Sequence, residues 1–435
     1  MPGLELLFSG TTHQTPAAFD LAASSATRSA QWLTPTYVVD LATDESDGNY
    51  SAGDLSLREA ISLANNSNSQ EVIAFDPALT GDTILLTLGQ LNITGTMTIE
   101  GPGSGSLTVD GYGQYRVFDI GADADVSMSG LTVEGGIVSG DGGGIRNQGN
   151  LTLSDVTLEY NNAWGNGNGG NIFNSGTLTL TDCTVQNGYC SGNGSGICNM
   201  GDLTITDSTI THNYCGFGAG IYNSGEAVVD SSTISANVGP LGGGINNAGW
   251  IYLLNSTISG NDSSGGGGIY NTCTLMTLNV TIANNTIYSG GEYGGGDGGG
   301  VMNVDGGIAV LYDTIVADNT LDSNPDDVSG TFEDYSLYNL IGAIDGSTGL
   351  TGNGTLYGTG SSPSDARLGA LADNGGPTQT MALLSGSPAI DAGCTGLVAY
   401  DHITTDQRGQ GFDRFLDGDG NASVAVDIGA YEYNG

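Results

Sequence analysis

A short motif, Ile-x-Asn behind a glycine-rich turn, returns along the middle of the chain and constrains its fold more than any other feature. It stands at Ile145-Arg-Asn147, Ile172-Phe-Asn174, Ile197-Cys-Asn199, Ile221-Tyr-Asn223, Ile245-Asn-Asn247, Ile269-Tyr-Asn271 and Val301-Met-Asn303. Successive asparagines are 27, 25, 24, 24, 24 and 32 residues apart. A period of that length marks a solenoid, whose units bury their apolar sides only against their neighbours.

A second apolar column follows eleven residues after each Asn, at Leu158, Val185, Ile210, Ile234, Ile258 and Ile282. Ile315 continues it after a one-residue slip. Between the columns lie alternating pairs: Leu151/Leu153, Leu178/Leu180, Leu203/Ile205, Ala227/Val229 and Ile251/Leu253. Alternation with period two is a strand signal, and Gly and Asn punctuate it as turns. Each unit reads as three short strands, stacked on their own copies at about 4.8 Å. Parallel crossovers favour the right hand. The expected fold is therefore all-β, a right-handed parallel β-helix (solenoid) with an N-terminal capping segment and a C-terminal end domain. The clear coils span roughly 40–50 Å at that strand spacing.

The expected division is an Ala/Ser/Thr-rich tail over 1–36, a strand and helix cap over 37–83, coils over 84–345 and a C-terminal region over 346–435. In the cap, Leu55 to Ala64 has helical spacing, with Asp54 as its N-cap.

The column Asn147, Asn174, Asn199, Asn223, Asn247, Asn271, Asn303 reads as a structural ladder. Stacked amides bond to one another and satisfy turn backbone, as in cross-β stacks. A row of functional amides is the sharper alternative.

Composition narrows the partners. The chain has 435 residues, 75 of them Gly, with 47 acidic residues against seven arginines and no lysine, for a net charge of −40. That balance argues against nucleic acid, which needs cations against phosphate, and against anionic lipid. No apolar run reaches the roughly 18 residues of a membrane span. The first 36 residues lack the basic start and apolar core of a secretory leader.

Cys190 and Cys215 each stand five residues after an apolar column residue, on adjacent coils. Adjacent coils suit a disulfide, and this pair is expected to be bonded. Cys183, Cys198, Cys273 and Cys394 share no column. A disulfide implies an oxidising, extracellular setting.

Three groups of residues carry a family resemblance. Leu55-Ser-Leu-Arg58-Glu59-Ala-Ile61 resembles the N-terminal CSLREA motif of bacterial surface β-helix proteins, with Leu55 in place of its cysteine. The Gly-Ile-x-Asn coils resemble the repeats of polymorphic outer-membrane proteins. Asn374-Gly-Gly-Pro377, Gly386-Ser-Pro388-Ala-Ile-Asp391, Asp406-Gln-Arg408-Gly409 and Asp427-Ile-Gly-Ala-Tyr-Glu-Tyr433 look like the choice-of-anchor Q domain. The resemblance implies bacterial export and cell-surface display, and no defined reaction. Family members carry a sorting signal after this domain, whereas two residues follow Tyr433 here. Attachment stays open between free secretion, non-covalent docking and self-assembly. The expected function is that of a structural or adhesive surface rod, in one version assembling head to tail with copies of itself, or binding surface glycans.

The alternative is a polysaccharide hydrolase. Asp155, Asp182 and Asp207 fall in one column, followed by Ser231, Asn255 and Asn279. Carboxylates about one strand spacing apart raise one another's pKa and supply an acid and a base for glycoside hydrolysis. The same column also reads as turn formers. A lyase wants a basic side chain. Of the coil arginines, Arg116 and Arg146, the latter sits outward beside Asn147 and is expected to pair with surface carboxylates. His13, His212 and His402 are scattered and form no catalytic constellation. Calcium is the expected cofactor, at Asp417, Asp419, Asn421 and Asp427, where oxygen side chains alternate with glycine. Finally, Phe173, Tyr222 and Tyr270 share an outward slot, with Tyr160, Trp164 and Tyr214 in nearby loops. Such rings stack on sugars or proteins, or lie under loops.

Overall fold

The computed structural model describes residues 34–290, 297–304, 306–418, 420 and 424–435. The described chain is a parallel β-helix. One face is an 11-stranded sheet running from Leu91–Ile93 through the Ile-x-Asn strands to Val328–Thr331 and Ser347–Thr348. Every Ile-x-Asn strand pairs in parallel with its copy, Ile on Ile and Asn on Asn. Two further faces follow in each coil, represented by Thr177–Thr181 on Asp202–Thr206 and Thr184–Gln186 on Thr209–Thr211. The inward columns predicted from the sequence are buried and form one continuous core.

Each coil turns at three corners, and each corner is a column of left-handed backbone. The first holds Gly130, Asp155, Asp182, Asp207, Ser231, Asn255, Asn279 and Asp313, all at positive φ. The second holds Gly135, Tyr160, Asn187, His212, Ala236, Gly260, Asn284 and Asp318. The third holds glycines alone, among them Gly142, Gly169, Gly194, Gly218 and Gly242. Asn and Asp tolerate this region because their short polar side chains bond locally. The third corner admits no side chain, since a Cβ on Gly169 would overlap the Ile172 carbonyl.

The asparagine ladder is present as a chain of buried amides. Asn147 Nδ2 donates to Asn174 Oδ1 at 2.8 Å, Asn174 to Asn199 at 2.7 Å, Asn199 to Asn223 at 2.8 Å, and the run continues through Asn247 and Asn271 to Asn303. The amides also bond the turn backbone, as Asn174 Nδ2 does to the Gly176 and Asp202 carbonyls. A second amide ladder, which the sequence reading missed, runs from Asn161 through Asn171, Asn213, Asn237, Asn261, Asn285 and Asn319. Most of its members stand fourteen residues after a first-ladder Asn, so the signal was there.

Several expectations need correction. The column expected to continue at Ile315 continues at Val316, which pairs with Ile282. The longer coil shifts register by one more residue than expected. That step turns Ile315 outward, into a second apolar cluster with Leu340, Leu383 and Ile428. The cap helix spans Leu57–Asn65, and its N-cap is Ser56 instead of Asp54. Ser56 accepts from the Glu59 N–H while Glu59 reaches back to the Ser56 N–H, a reciprocal capping box. The stack also passes both boundaries drawn from the sequence. Tyr37–Val39 pairs with Glu71–Phe75 inside the cap, and Leu340–Ile341 pairs with Leu356–Tyr357 beyond 345.

The C-terminal region first adds a last coil to the tube through Ser347–Thr348 and Leu356–Tyr357, and from Ala366 onward it leaves the stack. It lies along the side, against the first corner and the face that follows it. Gln407 is its anchor. Its Nε2 donates to the Ser232 carbonyl at 3.2 Å and to Thr233 Oγ1 at 2.9 Å, and its Oε1 accepts from Thr257 Oγ1. Arg414, fully buried, donates to Asn255 Oδ1 at 2.8 Å and pairs with Glu432 at 3.4 Å. Cys394 N donates to Asp313 Oδ1, and Ala430 N to Thr281 Oγ1. Arg408 lies between the Phe412 and Tyr431 rings, 4.0 and 3.7 Å from their centroids, and pairs with Asp406.

Candidate functional site

The structure brings Asp155, Asp182 and Asp207 into one column, as expected, and explains their residue type. All three sit in left-handed corner conformation, with φ of 51°, 53° and 49°. Ser231, Asn255, Asn279 and Asp313 hold the same conformation further along, where the C-terminal region covers them. The three aspartates are the uncovered part of a structural corner. Asp155 accepts from the Ser104 hydroxyl and backbone. Burial, then the neighbouring Asp155 carboxylate, raises the pKa of Asp182. Burial, then Asp182 and Asp230, pushes Asp207 to about 6. Asp230 is raised to about 6 by burial.

A cleft of about 440 Å³ lies at the second corner, between the coil face and the C-terminal region. Gln186, His212, Ser235, Ser259, Leu371 and Gln379 line it. None of the three aspartates does. The carboxylates of the hydrolase reading are therefore close to one another but are not built into that cleft.

The rings gather at Trp164 and Tyr214, two of those placed in nearby loops, together with Tyr189. Phe173, Tyr222 and Tyr270 do share the slot beside the first amide ladder, but Cys198 and Asn246 stand between them. The ring stack is on the short strands after the second corner. Tyr189 pairs in register with Tyr214, and their rings lie 5.9 Å apart and 11° from parallel. Trp164 leans onto Tyr189 at 4.6 Å. Trp164 is 46% exposed, Tyr214 56%, and Val238, next in the column, 38%.

Directly behind it, Ala163, Cys190 and Cys215 form the inward column of the same strands. Both cysteines are buried free thiols in this structure, in register on adjacent coils. The hydrogen bond that Cys190 donates to Cys215, with burial, raises the pKa of Cys190. Cys198, which the sequence left unplaced, lies near enough to influence both Cys190 and Cys215.

Of the expected calcium ligands, Asp419 and Asn421 lie outside the described residues. Asp417 is exposed. Asp427 is buried and already employed, its two oxygens accepting the Asp391 and Tyr433 N–H groups at 2.7 and 2.6 Å. Among the described residues the tightest acidic group is Glu45, Asp47 and Glu59. There Glu59 binds the Asp47, Gly48 and Ser56 N–H groups, which accounts for it as a loop clasp.

Every arginine among the described residues is engaged. Arg58 holds Asp44, Arg146 holds Asp119 through two bonds of 2.7 Å as expected, and Arg116 and Arg367 bond to backbone carbonyls. No helix of the described chain is long and apolar enough to cross a membrane.

No family model matches this chain. No curated protein matches it either. Among solved structures, the crystal structure of pectate lyase Pel9A is similar with a TM-score of 0.48 and 13% identity, over 93% of this chain and 98% of that one. The coils and corners define the present chain as a parallel β-solenoid. Its particular chemistry has to be argued from its own side chains.

Proposed function

We propose that this protein is an adhesive surface rod, exported from a bacterial cell, whose contact face is the Trp164–Tyr189–Tyr214 stack. The observation that carries the reading is that stack itself: large rings, in register, exposed on a rigid scaffold. Exposed contiguous apolar surface on a soluble fold marks an interaction site. Two ladders of buried amides fix the coil spacing beneath it, so the rings are held in place before any partner arrives. The CSLREA-like and choice-of-anchor-like motifs support export and display. Head-to-tail assembly through the tail is a further version, but residues 1–33 lie outside the described residues. The test is retention of the full-length protein on immobilised glycans and matrix proteins. Trp164→Ala with Tyr214→Ala should abolish retention with the melting temperature unchanged. Undiminished retention would move the contact face elsewhere.

A second reading, hydrolysis of a polysaccharide, is favoured by one observation. Asp182 and Asp207 are neighbouring carboxylates, with Asp207 raised to about 6, close to what a general acid needs. Their separation of about one coil, roughly 4.8 Å, approaches that of retaining glycosidases. Release of reducing ends from a polysaccharide panel, lost in Asp182→Asn, would establish it. Absence of release by the native protein would remove it.

A further inference from the structure

The stack belongs to a strip with no charge. Ile137, Asn162, Tyr189, Tyr214 and Val238 succeed one another in register down successive short strands, and the first charged residue in the column is Asp262. Asn187 and His212, in the corner just before, and Trp164 and Ser139 on the other side, add polar or aromatic groups.

From this we infer that the strip binds an uncharged, extended polysaccharide lying parallel to the solenoid axis. The inference rests on the adhesive reading and names its ligand. A pyranose presents a flat face of C–H groups and a rim of hydroxyls. The C–H face packs on aromatic rings, whose faces carry negative charge, and the hydroxyl rim needs donors and acceptors at the edge. Trp164 and Tyr214, 46% and 56% exposed at the two ends of the stack, offer such a surface, and the phenol groups with Asn162, Asn187 and His212 offer the edge.

The direction follows from register. The rings succeed one another across coils, along the stacking direction, so an extended chain covers all three only by running along the axis. Charge then selects the class. A polyanion meets a strongly acidic protein whose described arginines are all engaged, and like charges steer it away. Lastly, a long polymer can bridge several rods, and repeated weak contacts add through effective concentration, which suits a surface adhesin.

Affinity electrophoresis of the full-length protein tests the inference. Gels contain hydroxyethylcellulose or glucomannan as neutral polymers, or polygalacturonate or heparin as polyanions. Immobilised fibronectin or collagen in a pull-down serves as the protein arm. The expected result is retardation by a neutral polymer, weakened more than tenfold in Trp164→Ala/Tyr214→Ala and unchanged in Tyr357→Ala, an exposed ring outside the strip. Binding should also change tryptophan fluorescence in the native protein, and Trp164→Phe should remove that change while keeping retardation. Capture by a polyanion or by matrix protein that is lost in the ring variants, without neutral-polymer binding, would overturn this inference and leave the adhesive reading standing. No capture by any arm, or capture indifferent to the ring variants, would overturn both.

Discussion

The side-chain amide of Asn319 donates to the carboxylate of Asp327 at 2.8 Å and closes a column of stacked amides that begins at Asn161. The same Asp327 oxygen accepts the Asn319 N–H, and the other accepts the Ala343 N–H at 2.7 Å. The ladder thus ends on a buried carboxylate that ties the coil of Asn319 to the coil that follows it. Each amide within it is bonded to copies above and below, so removing one leaves buried partners unpaired. Asn237→Ala should cost about 3 kcal/mol, on that basis of unpaired buried groups. Denaturant unfolding followed by far-UV circular dichroism measures it, and a change below about 1 kcal/mol would show that the ladder is incidental.

Buried carboxylates make the stability depend on pH in an unusual direction. Burial raises Asp327 and Asp313 to about 7 and Asp427 to about 6. It raises Glu432 to about 9 despite Arg414. In the unfolded chain such groups lose their protons near pH 4. Between about pH 4 and the raised values, the folded state therefore binds more protons than the unfolded state, and stability falls as pH rises. The stabilisation is fully present below about pH 4 and is lost progressively up to pH 7, with the Glu432 share extending to about 9. The melting temperature should be higher at pH 5 than at pH 8 by at least roughly 5 °C. Asp327→Asn should flatten part of the slope. A melting temperature that rises with pH over this range would contradict the burial of these groups.

Cys190 and Cys215 are in register behind the ring stack and, in an oxidising compartment, should join. The two thiols lose two protons and two electrons to a disulfide-type oxidant, closing a loop of about 25 residues worth roughly 3 kcal/mol. Thiol titration in denaturant should then find two fewer than the six cysteines of the sequence. Peptide mapping should show Cys190 linked to Cys215. A link from either to Cys198, its near neighbour, would instead reassign the pair.

Gln407 carries the attachment of the C-terminal region. It reaches the coil at Ser232, Thr233 and Thr257 and its own region at Thr378. Gln407→Ala should destabilise by about 2–3 kcal/mol, from the hydrogen bonds lost and the partners left buried. Hydrogen exchange should rise first in residues 366–433 and along the Ser231–Asn279 corner, with the coils before Asp155 unaffected. Uniform loosening of the whole chain would mean that the two parts unfold as one unit.

The first and third corners should respond differently to substitution. Gly169→Ala should cost more than about 2 kcal/mol, because it combines a positive φ with backbone overlap at Ile172. Asp182→Asn should be neutral within about 0.5 kcal/mol, since Asn holds that conformation at Asn255 and Asn279. Asp182→Val should cost about 1–2 kcal/mol, the left-handed penalty for a branched side chain. Thermal denaturation of the three variants checks the order, and equal effects would refute the distinction between the corners.

The sequence by itself determined the solenoid. In a stack of coils a residue's nearest neighbour is its own copy, so Ile on Ile, Asn on Asn and Asp on Asp in the structure are the columns of the repeat. The second amide ladder was equally written there, fourteen residues after the first, and was hidden by Gly188, where Asn171 fills the gap from the facing turn. The corner role of Asp155, Asp182 and Asp207 was legible in their exchange with Ser and Asn. What only the tertiary structure decided are contacts between segments that are not copies. Gln407 meets Thr257 across 150 residues with no shared period. The C-terminal region settles on the side of the tube because Ile315, shifted one step beyond its expected place, turns an apolar side chain outward to meet it. The ring stack depends on Trp164 leaning onto Tyr189 from outside its register column, and the pKa of Asp207 on how deeply its corner is buried. Periodicity fixes the neighbours along a column; packing between columns and across the chain fixes what the surface can do.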